Sequence, residues 1–293
     1  MIAQDWFLLG APWDCSGTGR GEQQAPAALR SAGLSALVTR DFGDADTAIT
    51  STDRDPSGVR ALPDTVRAAN ALADRLDLGL RQLPGRRPLV VGGDCSILLG
   101  IVPALVRRSA VGLCFLDGHP DFLDGATSQT GETADMDLAI LTGFGTASLV
   151  GLAGPIPMVP ADQVVLLGYR SQNLDDAAAR EVARLPVELS RIDAQTMVTN
   201  PTDAGRRVAQ RLGRAEQGIW LHLDLDVLDP EAFSAVTYPQ PGGPNWEQLA
   251  LCLEPLAQSP RLIGASVADF RADLDPTGEM AADITAFLSR VLP

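Results

Sequence analysis

With 293 residues and 45% hydrophobic content, the chain is long enough to bury a full core without outside help. Thirty-seven acidic against 23 basic residues give a net charge of -14, which argues against nucleic-acid and anionic-membrane partners and suits a cationic small ligand or a metal. Cys15, Cys95, Cys114 and Cys252 are widely spaced with no C-x-x-C pair, so a reducing, cytoplasmic setting is expected rather than a disulfide framework. The first residues lack the pattern of a signal peptide, and no apolar run approaches the roughly 18 residues that span a membrane.

In chain order, Trp6 to Leu9 reads as a strand closed by Gly10-Ala11-Pro12, and Trp13 to Ala25 as a surface loop. Pro26 opens a helix at a position where its missing N–H costs nothing. A short strand is expected at Val38 to Phe42, an acidic loop at 43–60 and a helix at Leu62 to Leu78. Pro88 to Val91 is a buried strand that runs into Gly92-Gly93-Asp94-Cys95-Ser96, followed by a helix from Ile97 to Arg108. With the strand at 111–116 this makes a β-α-β unit. Met136 to Leu149 reads as one helix, Val164 to Gly168 as a strand and Ala177 to Leu185 as a helix. Val187 to Leu189 is expected as a short strand, and Ala204 to Gln217 as a helix. A strand from Gly218 to Asp226, a helix at Trp246 to Leu256, a strand at Leu262 to Val267 and a helix at Met280 to Leu292 complete the chain. Strands alternate with helices without a Pro-, Gly- or Ser-rich linker or a repeat, so a single α/β domain over 1–293 is expected.

Two apolar strands end in charge. Asp117, His119, Asp121 and Asp124 follow the first, and Asp224, Asp226 and Asp229 follow the second, directly after His222. Unpaired buried carboxylates are costly, and a cation offsets that cost. Asp224 and Asp226 point to the same side of an extended chain, with His222 one step deeper. Asp117, His119, Asp121, Asp224 and Asp226 together carry too much negative charge for one divalent ion but suit two. Oxygen ligands with histidine favour manganese over zinc, iron or nickel. The alternative is that these carboxylates cap helices or pair with arginines, as a single Asp-x-Asp in a turn does. Two such strands, and both of the chain's histidines beside them, favour the metal. There is no EF-hand loop, and Gly92-Gly93 does not extend to a dinucleotide-binding fingerprint.

Gly92-Gly93-Asp94-Cys95-Ser96, Asp117-Gly118-His119-Pro120-Asp121 and the stretch from His222 to Pro230 resemble the three metal-binding signatures of the ureohydrolases, the family of arginase, agmatinase and formiminoglutamase. Gly10-Ala11-Pro12 with Gly17, Gly21, Pro26 and Leu29-Arg30 resembles that family's amino-terminal pattern. The resemblance implies a three-layer α/β/α arginase-like fold with a mainly parallel central sheet, and a homo-trimer or homo-hexamer. It also implies hydrolysis of a guanidino or formimino C–N bond with two Mn²⁺ ions per subunit. Carried over residue by residue, one metal position would use Cys95, Asp117, Asp121 and Asp224, and the other His119, Asp117, Asp224 and Asp226. Asp121 would pass a proton to the departing amine, and Asp269 would hold the guanidinium.

Four departures from the family pattern bear on the substrate. Cys95 stands where the family has histidine, which resembles the family's variant that hydrolyses N-hydroxy-L-arginine. Ala134 falls where arginases carry a catalytic histidine and cannot carry a proton; Glu132 or Asp135 nearby is the alternative carrier, but both are expected to be solvated loop carboxylates. Asp269 is one methylene shorter than the family glutamate, and Leu123, Thr130 and Asn173 do not reproduce the polar set that receives an amino-acid head group. The expected function is therefore a binuclear manganese hydrolase of a guanidino compound, with N-hydroxy-L-arginine as the specific candidate. The alternatives are an agmatinase-like or other guanidino or formimino hydrolase, and a degenerate, non-catalytic relative.

Overall fold

The computed structural model describes residues 5–213 and 217–292. Eight strands, β1 (Trp6–Gly10), β2 (Arg40–Asp44), β3 (Arg87–Val91), β4 (Val111–Leu116), β5 (Val164–Leu167), β6 (Ser190–Ile192), β7 (Gly218–Asp224) and β8 (Leu262–Ala268), form one sheet. Every pairing is parallel, in the order β2-β1-β3-β8-β7-β4-β5-β6. An all-parallel sheet needs cover on both faces, which is why its inner strands are continuous apolar runs. The cover comes from α1 (Ala25–Ser31), α2 (Leu62–Gln82), α3 (Leu98–Val106), α4 (Asp137–Leu141), α5 (Ala147–Val150), α6 (Asp176–Arg184), α7 (Ala194–Thr199), α8 (Pro201–Leu212), α9 (Trp246–Ala257) and α10 (Glu279–Val291).

Alternate strand residues divide the core in two. Phe7, Val90, Phe115 and Trp220 pack with α2, α3 and α4 on one face. Leu8, Leu89, Leu116 and Leu221 pack with α1, α8, α9 and α10 on the other. The result is the three-layer α/β/α architecture expected from the sequence. Among the described residues no helix is long and apolar enough to cross a membrane.

Several boundaries differ from expectation. The single helix read over 136–149 is broken into α4 and α5, because Gly143 and Gly145 both adopt positive φ. The strand expected at Val187–Leu189 is instead β6 at Ser190–Ile192, and Val187 is 86% exposed. β2 starts two residues later than read, and α7 was missed. The end of the helix expected at Ala204–Gln217 runs through 214–216, outside the described residues, and α8 itself ends at Leu212. The acidic loop at 43–60 is tied down: the Thr50 and Ser51 amides donate to Asp64, and Arg54 donates to the Ser128 carbonyl at 2.7 Å.

The β-α-β unit from β3 through α3 to β4 joins strands that are not neighbours, since β8 and β7 lie between them. The sheet is thus two blocks, β2-β1-β3 and β4-β5-β6, bridged by β8 and β7. The charged ends of β4 and β7, the glycine turn after β3 and Asp269 after β8 all belong to these four central strands.

Candidate metal centre

The turn after β3 sets Cys95. Gly92 and Gly93 hold φ of 106° and 60°, and a Cβ on either would lie about 3 Å from the Ala11 carbonyl, so only glycine fits this close approach. Asp94 then caps the helical turn at Cys95–Ile97, accepting from the Ser96 amide at 3.0 Å and the Cys15 amide at 2.5 Å. Trp13 donates its indole N–H to Ser96 Oγ at 2.9 Å, fixing the turn from the side. Burial pushes the Asp94 pKa up to about 6.

At the end of β4, the His119 amide donates to Asp117 at 2.6 Å, and the Gly118 amide donates to Asp226 at 2.9 Å. A Cβ on Gly118 would sit 2.9 Å from Asp226, so glycine lets the exits of β4 and β7 touch. At the end of β7, Asp224 caps the next turn by accepting from the Asp226 amide at 2.6 Å. Both carboxylates are therefore fixed by backbone donors before any ion is considered.

β3 and β4 stand three strand spacings apart, about 14 Å in a flat sheet. Their loops nevertheless lean over β8 and β7, and Cys95 Sγ is 3.6 Å from Asp117 Oδ2 and donates to Asp224 Oδ2 at 2.6 Å. Asp121, at φ 46°, joins Cys95 and Asp117 in one set of donor atoms that all lie within 4.8 Å of one another. Asp117, His119 and Asp226 form a second such set, and Asp224, Asp226 and Asp269 a third. All seven residues singled out in the sequence thus converge, and the cluster is of the metal-binding type.

The electrostatics explain why the cluster suits cations. Burial raises the pKa of Asp117, Asp121, Asp224 and Asp269 well above the carboxylate range, and the neighbouring carboxylates raise it further. Asp226 is the exception: burial opposes its charge, but His119, the Gly118 amide and Arg170 together hold its pKa low. His119 Nδ1 is 2.7 Å from Asp226 Oδ2, while its Nε2 meets the Gln240 amide at 2.5 Å, which assigns the ring proton to Nδ1. A divalent ion would take the place of that proton among donors already converged. Hard carboxylates, one imidazole and one thiol fit divalent cations.

Residues that the sequence did not single out hold this arrangement. Arg170 is 8% exposed and spends its guanidinium on main-chain carbonyls: Gly168 at 3.1 Å, Val227 at 2.9 Å and Gln240 at 2.6 Å are among them. It clamps the turn after β7 to the loop that carries Gln240. Arg170→Lys keeps the charge but cannot span these acceptors, and a loss of about 2–4 kcal/mol in urea unfolding is expected.

The cluster forms the floor of a cavity of about 990 Å³, with Leu123, Thr130, Glu132, Ala134 and Tyr238 in its walls. Asn173, with φ 56°, is not among the lining residues. Glu132 departs from expectation: it is 6% exposed and bridged to Arg20 at 2.9 Å, so it is a buried structural partner rather than a solvated carboxylate. Asp135 accepts from Ser128 at 2.6 Å and Thr130 at 2.7 Å, and burial pushes its pKa up to about 6.

His222 and Asp137 complete the region. His222 is fully buried on β7, with Nε2 3.1 Å from Cys95 Sγ and Nδ1 2.8 Å from Ser266 Oγ. Burial pushes its pKa down to about 3, so the ring is neutral. Asp137 opens α4 and is also fully buried; an acid in a first helical turn is so ordinary that nothing in the local pattern marks it out.

Comparison with known proteins places these features in context. The model of the arginase family matches residues 4–292. The chain is 30% identical to an arginase from Brevibacillus brevis over 295 residues, covering 97% of this chain and 96% of that protein. Its structure is similar to that of arginase from Bacillus caldovelox, with a TM-score of 0.88 at 26% identity over 99% of this chain and 98% of the other. It also shares its fold with formimidoylglutamase from Bacillus subtilis, with a TM-score of 0.75 at 17% identity over 98% of this chain and 85% of the other.

Proposed function

The chain belongs to the arginase family, and from that membership we propose that it is an amidinohydrolase cleaving a C–N bond of a guanidino compound, with N-hydroxy-L-arginine as its substrate. The observation that carries this reading is Asp269. It follows β8 at φ 61°, is 6% exposed at the cavity floor and lies within 4.8 Å of Asp224 and Asp226. Its amide donates to the Gly93 carbonyl at 2.9 Å and its Oδ2 accepts from the Thr237 amide at 3.1 Å, so the carboxylate is held rigid. A fixed buried carboxylate beside a metal-type cluster is a site for a cationic group next to a reacting centre.

In this reading Cys95, Asp117, Asp121 and Asp224 would hold one divalent ion, and His119, Asp117, Asp224 and Asp226 the other. When bound, two such ions, manganese by the donor set, supply Lewis acidity and lower the pKa of water. Asp269 binds the guanidinium and orients its central carbon over the cluster. Asp121 takes the proton released as water adds to that carbon and delivers it to the departing amine as the C–N bond breaks.

Asp121→Asn retains a residue that tolerates positive φ but cannot carry the proton. It is expected to lower kcat about 10²–10⁴-fold at full metal content. Near-normal turnover with both ions present would remove Asp121 from this role.

Two features favour the hydroxylated substrate over L-arginine. Ala134 lines the cavity without a proton-carrying side chain, and Cys95 is a softer ligand than imidazole. N-hydroxylation withdraws electron density from the guanidine, lowers its basicity and makes its central carbon the better electrophile. Arg180, at the exposed rim of the cavity and without a carboxylate partner among the described residues, offers a guanidinium to an amino-acid carboxylate. Leu123 favours the second reading, agmatine, which has no such group. The test is a manganese-supplied screen of L-arginine, N-hydroxy-L-arginine, agmatine, guanidinobutyrate and formiminoglutamate. Ornithine and hydroxyurea from the hydroxylated substrate, with little product from the others, is the expected result. Putrescine from agmatine as the main product would overturn it, and no product from any would point to a non-catalytic relative.

A further inference from the structure

Asp137 has no place in the chemistry above. It is 0% exposed; its own amide and that of Leu138 face the carboxylate at the start of α4, but neither oxygen makes a hydrogen bond of good geometry among the described residues. A buried carboxylate left in that state is costly unless a cation or donor meets it. What faces it is chemically specific: donor atoms of Asp137, Cys95 and His222 all lie within 4.8 Å of one another, and all three side chains are buried. His222 reaches this place from β7, one step below Asp224, on the sheet face that also carries Phe115, whose ring centroid is 5.3 Å from the imidazole.

We propose that Cys95, Asp137 and His222 form an inner cation position, distinct from the carboxylate-rich cluster above it and suited to a borderline divalent ion such as zinc or cobalt(II). The donor set is one sulfur, one nitrogen and one oxygen, the combination that selects such ions over manganese. Bonds of about 2.0–2.3 Å in a tetrahedral site put ligand atoms roughly 3.3–3.8 Å apart. Cys95 Sγ and His222 Nε2 are 3.1 Å apart, close to that spacing. The far side of the imidazole is also arranged for ligation. Ser266 Oγ lies 2.8 Å from Nδ1 and also accepts the Trp220 indole N–H at 2.9 Å. With the ring proton on Nδ1 and donated to Ser266, Nε2 keeps its lone pair toward Cys95 and Asp137, which is how ligating histidines are oriented. Cys95 also belongs to the outer set with Asp117 and Asp121, so it is the hinge between a hard outer cluster and a softer inner one.

The experiment titrates the metal-free protein with cobalt(II) and follows the near-ultraviolet thiolate-to-cobalt charge-transfer band. The parent protein is expected to show the band. Asp137→Asn and His222→Asn are each expected to weaken the affinity read from it at least about tenfold. Asp137→Asn removes an unpaired buried charge, so its metal-free form is expected to melt above the parent, which separates loss of a ligand from loss of the fold. Parental cobalt affinity in both variants, or no thiolate band in the parent, overturns the inner position. None of these readouts involves turnover, so they stand or fall independently of the guanidino reaction.

Discussion

Asp224→Asn is expected to lower kcat by at least about 10²–10³-fold and to reduce the number of divalent ions retained per chain. Asp224 touches both strand ends of the cluster: it receives the Cys95 thiol at 2.6 Å and the Asp226 amide at 2.6 Å, and shares a donor set with Asp226 and Asp269. Asparagine retains an oxygen to accept from the Asp226 amide, so the turn at Leu225–Val227 keeps its cap. What is removed is the charge alone. A variant that folds, loses metal and loses turnover is the signature of a shared ligand. One that keeps both ions and turns over within about tenfold of the parent would exclude that role.

The second large effect concerns stability. Burial, and then the neighbouring carboxylates, raise the pKa of Asp117, Asp121, Asp224 and Asp269 in the folded chain. A group with a raised folded pKa binds more protons when folded, so its contribution is fully present below the unfolded carboxylate value of about 4 and is lost as pH rises above it. Carboxylates with lowered pKa, such as Asp14, Asp41 and Asp226, have their window below that value and do not oppose the trend; His222, held neutral by burial, opposes it only up to the free imidazole value of about 6.5, one ring against four carboxylates. The metal-free protein should therefore lose stability between about pH 5 and pH 8, while a divalent ion at the cluster replaces the missing protons. At a hundred times Kd the ion stabilises by about 2.7 kcal/mol, or roughly 4 °C in Tm for a chain of this length, and the increment should be larger at pH 8 than at pH 5. Thermal melts with and without manganese at the two pH values check this; equal increments would contradict it.

The sequence announced the site more clearly than the sheet. Carboxylates directly after the apolar runs at 111–116 and 218–224 stood out because burial makes charge expensive there, and they converge as expected. Asp137 was missed because Met136-Asp137-Leu138 looks like any helix start; only the fold brings it against Cys95. Glu132 was misjudged because nothing local shows that Arg20, 112 residues away, turns it inward. Strong apolar runs gave β1, β3, β4, β5, β7 and β8, while β2 and β6 are short edge strands with few apolar residues and were misplaced. The helix at 136–149 read as continuous because its apolar spacing outweighed the two glycines that break it. Strand order is a property of long-range pairing, which no local pattern encodes.

That order has a consequence for how the protein is made. As the chain leaves the ribosome, β3 and β4 are synthesised early, yet the partners that fill the space between them are the last two strands of the sheet. Before Gly218–Asp224 has emerged the sheet has only two three-stranded blocks to form, and until Leu262–Ala268 follows nothing joins them, leaving each with an apolar edge unpaired. Such edges invite aggregation or capture by chaperones, and their late closure makes folding slow. The metal-binding cluster inherits the same timing. An amino-terminal fragment ending before β7 already contains Cys95, Asp117, His119 and Asp121, but lacks the strands over which their loops meet. The cluster is thus assembled only when synthesis is complete, and a truncated product bears most of its donor residues without the cluster.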